Sequence, residues 1–301
     1  RAMVAATVLA AAAALAAGLF AIRRLTKPVA ELTRAAERAG AGNLDVQVTV
    51  HGADEIARLA ETFNRMTRTL RDQEEGRRRM IADSAHELGT PVSLIQGTVE
   101  AMLDGVYPSD RSTLEGLHEE TLRLSRLVED LNELSLLESG TLALDIEAAD
   151  LAEIARSEAG RFAARAAEQG VTIAVEAAAG LPRAAVDRLR IGQVIANLLG
   201  NALRHTPRGG AIAVRLDAPA DGRVRLAVED SGPGIPEAER ARVFERYYRV
   251  DRARAAADGG RGLGLAIAAG IAKAHGGTMS AAASGTLGGA RVVMELPAHP
   301  P

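Results

Sequence analysis

The 301-residue chain contains no cysteine. That excludes disulfides, thiolate zinc sites and thiol catalysis, while leaving the compartment to be set by other features. Tryptophan is absent too, and aromatic residues make up only 2% of the chain, too few for a base-stacking platform. Neither charge sign dominates. Lys and Arg number 36 against 39 Asp and Glu, giving a formal net charge of -3. No global basic field is present to recruit nucleic acid, and no nucleic-acid partner is expected. Gly-Lys-Ser and Gly-Lys-Thr do not occur, which excludes a P-loop. His-Arg-Asp and Asp-Phe-Gly do not occur either, which excludes the protein-kinase signature set.

Residues 2–22, by contrast, form an uncharged run of mostly Ala, Val and Leu. At 1.5 Å rise per residue, about 20 residues cross a ~30 Å hydrocarbon core, so a transmembrane helix is expected here. Arg23, Arg24 and Lys27 follow at once. By the positive-inside rule, the region after residue 22 then lies in the cytoplasm, below the cell membrane. The chain opens on Arg1 and not Met, so further sequence upstream is expected.

Two short amphipathic helices with a connector come next. The first is expected over residues 28–38, with Pro28 allowed in its opening turn. The connector holds Gly40, Gly42, Asn43 and Gly52, and alternates Leu44, Val46, Val48 and Val50. The second helix follows Asp54 and Glu55 and spaces Ile56, Leu59, Phe63, Met66 and Leu70 as a heptad seam.

The stretch over residues 81–102 is the most informative. Ile81, Ala85, Leu88, Val92, Ile95, Val99 and Met102 step alternately by four and three, an uninterrupted heptad seam. His86 lies one residue past a seam position, at the edge of the core and in reach of solvent. Glu87 follows it directly. Pro91 cannot donate to the carbonyl of Glu87, so the helix is expected to bend one turn below the histidine. Gly105 and Pro108 then punctuate a turn. A second helix starts at Ser109 or Asp110 and places Leu117, Thr121, Leu124, Val128 and Leu131 on a seam. Two helices of this length cannot bury their apolar faces alone, whereas two hairpins paired as a four-helix bundle can. A homodimer is therefore expected.

From residue 142 the pattern changes to short strands alternating with helices. Strands are expected over 142–147, 171–176, 211–216, 224–229, 279–283 and 291–296. Helices are expected over 151–168, 189–204, 237–244 and 263–274. This reads as an α/β sandwich domain of normal size.

Four motifs fall in that domain. Asn197 and Asn201 are four apart, so both amides project from one helix face, with Arg204 and His205 just beyond. Amide oxygens are hard ligands suited to Mg2+, and Arg204 can meet phosphate. Asp230-Ser231-Gly232-Pro233-Gly234 stands at a strand end. A carboxylate there can accept from an exocyclic amine, while the glycines let a base approach the backbone. In Glu245-Arg246-Tyr247-Tyr248-Arg249 the basic residues can reach phosphates. Finally, Gly260, Gly262, Leu263, Gly264 and Leu265 precede a helix, whose exposed amides can hold phosphate oxygens.

The order of these four motifs resembles the GHKL ATPase fold. Preceded by His86-Glu87 and Thr90-Pro91, it resembles a membrane-bound sensor histidine kinase of two-component systems. The segment with Pro28, the Gly-rich connector, Asp54-Glu55 and Phe63-Asn64-Arg65-Met66 resembles a HAMP linker. The resemblance implies a multidomain chain. An all-α N-terminal part comprises a transmembrane helix (2–22), a HAMP linker (23–75) and a dimerisation and phosphotransfer hairpin (76–141). An α/β sandwich ATP-binding domain of GHKL type (142–298) follows. It implies that His86 is the phosphoacceptor, Glu87 its general base, and Thr90 the positioner of water in a reverse phosphatase reaction. ATP and Mg2+ are the implied cofactors. Asn201 would hold the metal beside Asn197, Arg204 and His205, and Asp230, with Gly232 and Gly234, would bind adenine. The loop over 246–261, with Tyr248, Arg249 and Gly260, would close over ATP, and Gly262, Leu263, Gly264 and Leu265 would lie along its phosphates. A response regulator would receive the phosphoryl group on an aspartate. Two departures stand out. Gly89 occupies a position where the family often has arginine, and Gly288-Gly289-Ala290 replaces a common Gly-x-Gly-Thr. The alternatives are a GHKL-type ATPase that drives conformational work without phosphohistidine, and an ATP-binding membrane signalling adaptor. The His86-Glu87 pair on a bundle helix argues against the first, and the intact Asn pair and glycine loops argue against the second.

Overall fold

The computed structural model describes residues 2–22, 26–50, 55–219, 222–248 and 262–298. Arg23, Arg24, Gly52, Asp54, Arg249 and Gly260, all singled out above, lie outside the described residues, as does the rest of the expected loop from residue 249 to 261. Two compact units emerge, divided between Ala85 and His86.

In the first unit, α1 (Ala2–Ala21) is long and apolar enough to cross a membrane, and its Met3–Phe20 stretch is fully exposed. Helix α2 (Lys27–Gly40) carries Pro28 in its first turn, where the missing N–H costs nothing. The connector and the start of α3 (Glu55–Leu103) complete a small core of Leu32, Ala35, Val46, Val48, Ala60 and Phe63. Alternation in the connector holds at its centre, since Val46 and Val48 turn inward and Gln47 outward. Asn64 fixes that extended segment. Its side chain accepts from the Val48 N–H at 2.9 Å and donates to the Val48 carbonyl at 2.8 Å. The expected seam is split here. Phe63 is buried with Ala57, Ala60, Asn64 and Thr67, whereas Leu59, Met66 and Leu70 stay exposed. Small residues at 57 and 60 let the connector approach closely, which turns the larger side chains outward.

Helix α3 is continuous through residue 76, where the sequence suggested a domain boundary, and continues through Pro91. In the second unit, α4 (Arg111–Ser139) is capped by Asp110, whose carboxylate accepts from the Thr113 N–H at 2.9 Å. Gly140, at φ 65°, ends it in a left-handed turn. The row buried on α4 differs from the expected one. Leu127 and Leu134 are buried, while Val128 is exposed.

The sandwich follows. Strand β1 (Glu147–Ala149) pairs antiparallel with β3 (Ala184–Val186). The main sheet comprises β2 (Thr172–Ala177), β4 (Ala211–Asp217), β5 (Arg223–Asp230), β6 (Thr278–Ala283) and β7 (Ala290–Pro297). Their order is β2-β4-β5-β7-β6, with only β2 and β4 parallel. Helices α5 (Leu151–Glu168), α6 (Arg188–His205) and α7 (Gly264–Ala274) pack on one face. That face carries Val214, Leu226, Val228, Val292 and Met294, all buried; the other carries Arg215, Arg225, Glu229, Arg291 and Glu295.

Two expected elements change. The strand over 142–147 shrinks to Glu147–Ala149, because the Asp145 N–H donates to Asp187 Oδ2 at 3.1 Å and not to a ladder. The helix over 237–244 becomes two single 3-10 turns, Glu237–Glu239 and Arg242–Phe244. Eight residues are too few to nucleate a stable α-helix without strong tertiary support. Strand β3 has no counterpart in the sequence reading, because three residues give no periodicity to detect.

Candidate active site

His86, Glu87 and Thr90 stand together on α3. His86 is exposed, Glu87 half-buried, and the Thr90 hydroxyl donates to the His86 carbonyl at 3.3 Å. The imidazole is thus open to a reactant, and its nearest polar neighbours in sequence lie on the same helix.

The nucleotide-side residues come from four elements. Helix α6 starts at Asp187, whose carboxylate accepts from the Arg190 N–H at 3.1 Å. Its apolar face, Ile191, Val194, Ile195, Leu198, Leu199 and Leu203, is fully buried. That packing sets the rotation of the helix and leaves Asn197 and Asn201 half-buried along its margin. Arg204 and His205 are exposed in the last turn, where the helix dipole favours positive charge. A Cβ placed on Gly264 would sit 3.5 Å from Asn197 Oδ1, so the fold brings the Asn face and the second glycine motif together.

Asp230 closes β5 and is only 6% exposed. Its Oδ1 accepts from the Gly232 N–H at 2.9 Å and the Ala290 N–H at 3.1 Å. Its carbonyl accepts from the Gly289 N–H at 3.1 Å. With Oδ1 committed to the backbone, Oδ2 is the oxygen left to accept from a ligand. A side chain at Gly289 would collide with the Asp230 carbonyl and Oδ1. One at Gly232 would come within 2.6 Å of the His205 carbonyl. The glycine-rich turn of β6–β7 is therefore part of the Asp230 site, and sequence reasoning gave it only a packing role. A glycine pair directly before a strand was the available signal.

Gly262 sits at φ 72°, and a Cβ there would press within 2.9 Å of the Tyr247 backbone. The Tyr247 N–H donates to the Gly262 carbonyl at 3.0 Å, with Tyr247 itself at φ 56°. Tyr248 lies under the Arg242 guanidinium, 4.4 Å from ring centre to cation. Leu263 is buried, and α7 begins at Gly264 with no side-chain cap, so its first amides face outward unclaimed by a side chain.

The end of α4 packs against this domain. Arg190 Nη1 donates to Glu133 Oε1 at 2.6 Å, and Gln193 donates to Glu133 Oε2. Leu137 lies against Gly270 of α7, where a Cβ would come within 2.9 Å. Arg246, expected to face phosphate, forms an ion pair with Glu138 of α4. Sequence reasoning missed Glu133, Arg190 and Gln193, because charged residues on helix faces normally read as solvated.

Among the described residues no group of three His, Asp or Glu side chains is placed to hold a metal. The neutral amide oxygens of Asn197 and Asn201 are of the kind that suits Mg2+ when it also keeps phosphate and water ligands.

Three family models match the chain in series. A HAMP domain matches residues 20–72, a His Kinase A (phospho-acceptor) domain residues 76–140, and a histidine kinase-, DNA gyrase B- and HSP90-like ATPase residues 186–300. The chain is 38% identical over 288 residues to the signal transduction histidine-protein kinase BaeS of Escherichia coli (strain K12), covering 95% of this chain and 60% of that protein. The chain belongs to the histidine kinase family. A second family member, the histidine-protein kinase/phosphatase MprB of Mycobacterium sp. (strain KMS), is 37% identical over 89% of this chain and 52% of its own length. The present chain thus spans little more than half the length of these histidine kinases. The solved Acinetobacter baumannii histidine kinase AdeS matches with a TM-score of 0.60 at 27% identity, covering 71% of this chain and 98% of that one. The histidine kinase ThkA, solved in complex with the response regulator protein TrrA, matches with a TM-score of 0.59 at 25% identity, over 76% of this chain and 66% of that one.

Proposed function

We propose that this chain is an ATP-dependent protein-histidine kinase that phosphorylates itself on His86 and passes the phosphoryl group to an aspartate of a response regulator. One observation carries the reading. A solvent-open His86, followed by Glu87 and Thr90, occurs in one chain with an amide-bearing helix face and a carboxylate cradled by glycines. The neutral imidazole nitrogen attacks the γ-phosphorus; an N–P bond forms and the bond to the bridging oxygen of the departing ADP breaks. Glu87 takes or shares the proton of the imidazolium that develops. Asp230 receives the adenine amine on Oδ2, and the amides at the start of α7, with Gly262 and Gly264, lie along the phosphates. Asn201, with Asn197 beside it, would hold Mg2+, which supplies charge neutralisation on the phosphates when bound. The labile N–P bond then passes its phosphoryl group onward. Thr90 orients water for the reverse hydrolysis of the phosphorylated regulator, an activity supported by the kinase/phosphatase relatives. The exposed seams of α3 and α4 support a homodimer, and α1 supports anchoring in the cell membrane with the remainder cytoplasmic.

The test is labelling of the purified chain with γ-labelled ATP. Acid-labile, base-stable label is expected on the native chain and none on His86→Gln, with ATP affinity within about twofold of wild type. Undiminished label on His86→Gln would assign the acceptor elsewhere.

A further inference from the structure

Glu229 is a charged side chain that the proposed chemistry does not use, and it is only 2% exposed. It precedes Asp230 on β5 and points to the opposite face of the sheet, as strand alternation requires. Its neighbours on that face at this end include Ala213, Ala227 and Val293, all buried. An apolar residue would suit such surroundings, since burying a carboxylate costs free energy unless it is paired and hydrogen-bonded.

What Glu229 holds is the turn between β6 and β7. Its Oε2 accepts from the Ser284 hydroxyl at 2.7 Å and the Thr286 hydroxyl at 2.6 Å. Arg215 Nη1 donates to both carboxylate oxygens at 3.1 Å and to the Thr286 hydroxyl at 2.8 Å. Arg291, its cross-strand partner, approaches to 3.5 Å. The Ser284 hydroxyl in turn accepts from the Leu287 N–H at 3.0 Å, and the Ser284 N–H donates to the Gly289 carbonyl at 2.8 Å. The same turn, on the other face of β5, supplies Gly289 and Ala290, whose amides fix the Asp230 carbonyl and Oδ1. The turn is therefore gripped on both faces of one strand end, by two consecutive carboxylates. Burial opposes ionisation of Glu229, but Thr286, Ser284, Arg215 and Arg291 outweigh it and hold the carboxyl below its usual range. It is an anion at neutral pH and keeps accepting.

We propose that Glu229, acting through Ser284 and Thr286, is a positioning residue that aims the Asp230 carboxylate and so sets the preference for a purine bearing an exocyclic amine. This rests on the reading that Asp230 receives adenine. A carboxylate with one oxygen fixed by two amides presents the other at a defined angle. Loosening the turn lets the whole group rotate, and the penalty falls on the ligand that needs that angle.

The test compares the affinities of ATP and inosine triphosphate, which has a carbonyl in place of the amine. Thr286→Val removes the donor at a position exposed enough to tolerate it. It is expected to weaken ATP binding roughly tenfold and leave inosine triphosphate within about twofold, the size expected for one misaligned hydrogen bond to a charged group. Thr286→Ser is expected to keep the native ratio, and Glu229→Gln to erode it at least as far as Thr286→Val. Variants that lose thermal stability while keeping the native ratio would reduce Glu229 to a structural role. A native chain that binds both nucleotides equally would overturn the adenine assignment, and the positioning role with it.

Discussion

Helices α6 and α3 are both amphipathic and both carry residues of the proposed chemistry, yet they bury their apolar faces differently. On α6, Ile191, Val194, Ile195 and Leu199 are 0% exposed, closed over by α5, α7 and the sheet of the same chain. On α3, Ile81, Val92 and Val99 are 57%, 46% and 40% exposed, while Leu88, Ile95 and Met102 are half-buried. One row of the α3 seam is half-buried and the alternate row is open. A helix in a four-helix bundle needs two neighbours, and a single hairpin supplies one. The Asp230 cradle and the Asn197–Asn201 face are therefore assembled within one polypeptide, whereas the proposed homodimer would cover the open row of α3 beside His86 with a second copy. Where a site depends on its own chain, single substitutions act by local collision; where it depends on a partner, they act through assembly.

The largest effect is expected in the self-contained region. Gly289→Ala forces a methyl into the Asp230 carbonyl and Oδ1. The turn must shift, at a cost of about 1–3 kcal/mol for overpacking, and the amides that orient Asp230 shift with it. ATP binding measured by calorimetry is expected to fall below detection, with the hairpin still associated. Gly288→Ala is the control. It has a positive φ but nothing within 4 Å, so only backbone strain applies and nucleotide binding should survive. Equal ATP affinity in the two variants would remove the turn from the site.

A smaller but cleaner effect is expected in the hairpin. Val92→Glu places a charge on the uncovered row, where it costs little in a lone chain. Burial against a second copy would turn that into a prohibitive desolvation, and a seam valine contributes about 1.5–3 kcal/mol when fully buried. Light scattering in detergent is expected to show a monomer with native ATP affinity and little autophosphorylation. A variant that stays dimeric would mean that this row is not the interface.

The same contrast explains what was legible in the sequence. Helices α5 and α6 and all five strands of the main sheet were readable to within a residue or two, because their periodicities answer to a core inside the chain. The seams on α3 and α4 were readable as seams, but which residues are covered was not. Leu127 and Leu134 are buried where Val128 was expected, because the end of α4 answers to α7 as well as to its own hairpin. The Asp230 motif was visible at once, yet Gly289 and Ala290, whose amides fix it, and Ser284 and Thr286, which bond the neighbouring Glu229, lie more than fifty residues away and carry no local spacing. Asn64 illustrates the same limit. Its amide closes both hydrogen bonds of Val48, sixteen residues away, and nothing in its neighbours announces that.

The smallest effect is expected at Thr90, and it sharpens the division between the two regions. The Thr90 hydroxyl donates to the His86 carbonyl one turn earlier and is exposed. That carbonyl already accepts along the helix, so losing the hydroxyl leaves no buried group unsatisfied, and Thr90→Ala should move stability by no more than about 0.5 kcal/mol. The proposed imidazole attack on ATP uses the His86 ring, Glu87 and the nucleotide domain, and the one contact that the substitution removes is to the His86 backbone carbonyl, not to the ring. Hydrolysis of the phosphorylated regulator needs a water placed beside the acceptor helix, which a hydroxyl one turn from His86 can orient. Thr90→Ala is therefore expected to slow dephosphorylation of the partner roughly tenfold, while autophosphorylation changes less than about twofold. Parallel time courses of label on the kinase and on the regulator measure both rates. Equal losses in the two would mean that Thr90 shapes the acceptor helix as a whole, and that the hydroxyl has no separate part in the reverse reaction.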